Sequence, residues 1–160
     1  MSEKIMNEMN LILEEKLKLL NNIFKYTKRQ EEVVTNDNVV DIETFIKLKQ
    51  IEINKIDKLD IQFYNLFNEL KQKENILKLE NLEVKKYPQA KKLKSLTTEI
   101  FNLLKQIQVL EQKNSVALKS TLENVKSELR NINAGKKMVS GYNTYKNVYN
   151  NSSVIIDQKK

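Results

Sequence analysis

The sequence predicts an all-α protein: an elongated antiparallel three-helix coiled-coil bundle (residues 1–135) with a C-terminal tail (residues 136–160). Three observations predict it. Gly occurs twice and Pro once in 160 residues, so turn punctuation is nearly absent and long helices are the economical way to order the chain. Apolar residues recur in alternating steps of three and four through three long segments. Charged residues make up 31% and the apolar class 40%, a polar balance for a compact globule.

The first helical segment is residues 3–34. Ile5, Met9, Ile12, Lys16, Leu19, Ile23, Tyr26, Gln30 and Val33 form one series, with Leu13, Leu17, Leu20 and Phe24 beside it. Together they make a face wide enough for two neighbouring helices. The polar break Thr35-Asn36-Asp37-Asn38 follows, and Asn38 or Asp41 can cap the next helix. A connection this short joins antiparallel neighbours.

The second segment starts at 39 and is helical to 80, with Ile42, Phe45, Ile46, Ile53, Ile56, Leu59, Phe63, Leu66, Phe67 and Leu70 on its buried face. After Leu70 the pattern thins, which predicts a fray or loop between 72 and 88. Tyr87-Pro88 closes that region, because Pro disfavours helix in the residue before it and suits a helix's first turn. The third segment is 89–134, with a seam of Leu93, Leu96, Ile100, Leu103, Ile107, Leu110, Asn114, Leu118, Leu122, Val125, Leu129 and Ile132. Asn114 stands on the seam itself, where a polar residue can fix register. Gly135 ends the helix.

Beyond Gly135 the heptad character stops. The tail carries Tyr142, Tyr145, Val148 and Tyr149 at helical spacing, then Val154, Ile155 and Ile156. These residues either fold back to finish the bundle or serve as anchors in a partner's groove. They are the candidate client-binding residues.

Composition excludes most chemistry. There is no His, Cys or Trp, so the commonest general base, the thiolate nucleophile and the commonest metal ligands are missing. No glycine-rich phosphate loop exists. Asp57 and Asp60 share a helical face, but a di-iron bundle needs Glu-x-x-His pairs, so the two read as a solvated face. The expectation is a non-enzyme with no cofactor and no metal. The N-terminus lacks a signal-peptide core and no apolar run approaches a membrane span, so the expected location is the cytoplasm.

The net charge is +7. Residues 1–84 carry 13 basic and 16 acidic side chains, and residues 85–160 carry 15 and 5. That asymmetry fits either a second half packed on a complementary first half or an acidic partner. Only two of the 28 basic residues are Arg, the residue best suited to reading phosphates and bases, so no specific nucleic acid is expected. Lys85, Lys86, Lys91, Lys92 and Lys94 cluster around Tyr87-Pro88, as a solvated run or as a grip for an acidic surface.

The pattern resembles a known family. Leu11 to Leu20 looks like the opening helix of FlgN-type flagellar export chaperones. Asp41-Ile42 through Lys49, and Lys55 to Asp60, are similar to that family's second block. Ile107 to Leu118 resembles its third, with Glu111 and Asn114 placed as in a recurring Glu-x-x-Asn pattern. Tyr142-x-x-Tyr145 and Ile156-Asp157-x-Lys159 look like the tail of clostridial-type members. The resemblance implies a helical chaperone that holds hook-associated (hook–filament junction) proteins export-competent, delivers them to components of the flagellar export apparatus, and contacts its client through the C-terminal portion. The competing reading is a structural coiled-coil adaptor that tethers two partners.

Overall fold

A computed structural model describes residues 1–36 and 39–128. Helix α1 spans Ser2–Thr35, α2 spans Val39–Glu74 and α3 spans Pro88–Glu128, with one 3-10 turn, Leu79–Asn81, between α2 and α3. At a rise of 1.5 Å per residue these helices are about 51, 54 and 61 Å long. Among the described residues there is no strand. The stretch 129–134, assigned from sequence to the third helix, and the tail 136–160 lie outside the described residues.

The second helix ends at Glu74, before the 80 expected from sequence, and the cause is local. Asn75 takes φ 53°, the left-handed conformation that Asn tolerates better than most residues. The Ile76 N–H then donates to the Lys71 carbonyl at 3.2 Å, which closes the helix in a Schellman-type cap. The loop is held in turn by Lys94, whose Nζ donates to the carbonyls of Glu80 (3.1 Å) and Leu82 (2.8 Å). Leu82 is buried beneath it. Pro88 is the first residue of α3, where its missing N–H leaves no helical bond unmade.

Helix α1 is the inner helix and packs along both of the others. Against α2 it runs antiparallel: Ser2 meets Glu74, Lys16 meets Asp60, and Gln30 meets Lys49. Against α3 it runs parallel: Asn10 meets Gln89, Thr27 meets Glu111, and Glu31 meets Lys113. This is the up–down–up course that two antiparallel connections require.

The wide apolar face of α1 fills the space between its neighbours. Met6, Met9, Leu13, Leu20 and Ile23 of α1 are buried, as are Ile53 and Ile56 of α2 and Leu93, Ile100 and Ile107 of α3. Each such side chain contributes about 1.5–3 kcal/mol on leaving water. Phe45, Leu59, Phe63, Leu66 and Phe67, expected on the buried face of α2, are only half-buried. An outer helix of a three-helix bundle has one neighbouring groove rather than two, so the flanks of its stripe remain partly wet.

Candidate functional site: a polar layer inside the bundle and the surfaces around it

The seam of each helix is interrupted by polar residues at one level. On α1 these are Thr27 and Gln30, on α2 Lys49, and on α3 Glu111 and Asn114, and all five are buried. Lys49 Nζ donates to Gln30 Oε1 and to Glu111 Oε1, each at 2.5 Å. Thr27 Oγ1 lies 2.7 Å from the Ile23 carbonyl and 3.2 Å from Glu111 Oε1, two acceptors for one hydroxyl proton. Asn114 Nδ2 donates to the Thr27 carbonyl at 3.0 Å. Burial pushes the Lys49 ammonium below its ordinary pKa, and the Glu111 carboxylate opposes that shift. The arrangement brings all three helices to one point and fixes their stagger, the function best attested for buried polar groups in coiled coils.

Nearer the other end, Lys16 is fully buried and lies 2.6 Å from Asp60 Oδ1. Asp60 is therefore not part of a solvated face, contrary to the expectation from sequence: its carboxylate is the counter-charge of a core lysine. Asp57, one turn away, is exposed. Partial desolvation and the neighbouring Asp60 raise its pKa above 3.8, with Lys16 opposing.

A third polar cluster closes the bundle at the foot of α1. Glu74 Oε1 accepts hydrogen bonds from Ser2 Oγ (2.6 Å) and Tyr87 Oη (2.7 Å), and Lys86 Nζ stands 3.6 Å from Oε2. These donors, Ser2 first, hold Glu74 below its ordinary 4.5. Three of the five lysines of the basic cluster have partners among the described residues. Lys86 pairs with Glu74, Lys92 with Glu14, and Lys94 staples the loop. With Lys113–Glu31, three pairs join a lysine of residues 85–160 to a glutamate of residues 1–84, as the complementary-halves reading requires.

Open grooves lie along the described helices. One lies between α1 and α3, about 400 Å³, lined by Phe24, Lys28, Lys105, Gln106, Val109 and Leu110. Another lies between α1 and α2, about 520 Å³, lined by Glu8, Leu11, Ile12, Gln62, Asn65 and Leu66. Among the described residues no group of three or more metal-ligating side chains forms, and no helix is long and apolar enough to cross a membrane.

The candidate client-binding residues Tyr142, Tyr145, Val148, Tyr149, Val154, Ile155 and Ile156 lie outside the described residues. What sequence reasoning missed is the inward role of Lys49 and Glu111. A signal was present: Lys49 fills the step between Ile46 and Ile53, and Lys16 and Gln30 occupy places in the apolar series of α1. Comparison with curated proteins and with solved structures finds no match. The family described as FlgN protein matches residues 1–150, which includes every described helix and runs on through Tyr149. The chain belongs to the FlgN family of flagellar export chaperones.

Proposed function

We propose that this chain is a cytoplasmic chaperone that binds hook-associated proteins, keeps them export-competent and hands them to components of the export apparatus. The observation that carries this is the family match, which continues past the described bundle to residue 150. Tyr142, Tyr145, Val148 and Tyr149 fall inside it. The bundle is compatible with the same reading: its buried charges Lys16, Lys49 and Glu111 are paired within the protein and its core is closed.

The client contact is assigned to residues 136–160, apart from the bundle 1–135, with Tyr142, Tyr145, Val148, Tyr149, Val154, Ile155 and Ile156 as anchors. A disordered amphipathic end of a client lays apolar residues onto such a segment, and the ordering cost keeps affinity low enough for release. The test is paired: titration with a hook-associated protein and thermal unfolding, on the full chain and on a chain ending at Gly135. The truncated form is expected to keep its unfolding transition and lose client binding. Unchanged binding removes the tail as the site. Loss of the transition assigns the tail to the core instead.

A further inference from the structure

The polar layer divides the apolar core into two unequal bodies. On one side lies a long body built from α1 between Ile5 and Ile23, α2 between Ile53 and Leu70, and α3 between Ala90 and Ile107. On the other side, among the described residues, only Val34, Ile42, Ile46, Leu118 and Leu122 are buried apolar side chains. They form a small tip where α1 turns into α2. Between the bodies the buried side chains are Thr27, Gln30, Lys49, Glu111 and Asn114, flanked by the half-buried Tyr26 and Phe45, whose rings lie 6.3 Å apart.

Such a layer aligns the helices but adds little cohesion along their length. Removing two charges from water costs nearly what their attraction returns, so apolar replacement of a buried pair is often neutral or stabilising. Gln30 Nε2 and Asn114 Oδ1 are also buried with no hydrogen-bond partner among the described residues, as are Asn10 Oδ1 and Gln89 Oε1 in the long body, and each such atom costs stability. A segment with few buried apolar contacts, set off from the main core, has the makings of a separate opening unit.

We propose that the bundle parts at the Lys49–Glu111 layer: the tip, made of α1 beyond Gln30, α2 before Lys49 and α3 beyond Asn114, splays open as one unit while the long body stays packed. Opening bares Val34, Ile42, Ile46, Leu118 and Leu122 on the part of α3 that leads toward residues 129–160.

The test is native-state hydrogen exchange on the full chain with no partner present. Amides of residues 31–35, 42–48 and 115–122 are expected to exchange as one group, roughly tenfold or more faster than those of the long body, as expected for a sub-global unit. A single common rate overturns the proposal, and so does a smooth gradient toward the helix ends, which is fraying. The double substitution Lys49→Met/Glu111→Leu joins the two apolar bodies and is expected to slow the tip to the body's rate. A tip rate unchanged in a folded double variant shows that the layer is not the parting plane. Because no client enters either measurement, failure of the client assignment leaves both results standing.

Discussion

Lys49 of α2 and Glu111 of α3 form an ion pair at 2.5 Å with neither side chain exposed. Removing one member strands the other charge in the core. Lys49→Met is expected to cost about 3–5 kcal/mol, and Lys49→Met/Glu111→Leu to recover most of it. Urea unfolding of the wild type, both single variants and the double variant closes the cycle. A loss in the double variant equal to the sum of the two single losses would show that the pair is not coupled.

Glu74 gives the acid limb of stability its sign. Its proton is held less tightly in the folded chain than in the unfolded one. Its contribution is therefore complete above 4.5 and is lost as pH falls through the depressed folded value. Glu74→Gln is expected to cost about 1–3 kcal/mol at neutral pH, the usual worth of hydrogen bonds to a charged group. It should also flatten the fall of Tm at acid pH. Tyr87→Phe should reproduce part of both effects.

Asp57 works in the opposite direction. Its folded pKa is raised, so its proton favours the folded chain at low pH and its charge opposes folding above that raised value. Asp57→Asn is expected to raise Tm at neutral pH and to give no gain at acid pH. Asp60→Asn, by contrast, leaves the buried Lys16 ammonium without its counter-charge and is expected to lower Tm sharply. Scanning calorimetry of the two variants across pH separates them.

Within the tail, a single truncation is expected to act on binding alone. Tyr145→Ala should weaken the client complex by about 2 kcal/mol, the size of a buried aromatic anchor, with the unfolding midpoint of the bundle unchanged. Calorimetric titration reads the first quantity and circular dichroism the second. A shifted midpoint with intact binding places Tyr145 in the core.

Nucleic acid is expected to bind weakly and without sequence preference. The described lysines of the basic half include Lys86, Lys92 and Lys113, already paired with glutamates. What attraction remains is general phosphate screening, which collapses as salt rises. A gel shift that survives physiological salt and favours one sequence contradicts this.

The amino-acid sequence by itself determined the helices. Scarce Gly and Pro, the three–four spacing and Pro88 located α1, the start of α2 and the start of α3 to within a residue or two, because these are local effects of backbone geometry and periodic burial. The end of α2 was only bracketed, since a left-handed Asn75 competes with helix propensity at a margin that spacing alone does not register. Which polar residues turn inward was decided by tertiary structure. Asp60 and Glu111 look like ordinary solvated charges on single helices, and the places of Lys16 and Lys49 in the apolar series do not say which groups they meet. Their burial depends on where the partner helices, 44 residues away for Lys16–Asp60 and 62 for Lys49–Glu111, place the opposite charge. A lone lysine in a core is expelled by its desolvation cost, and only the stagger of the three packed helices supplies the carboxylate that keeps it there.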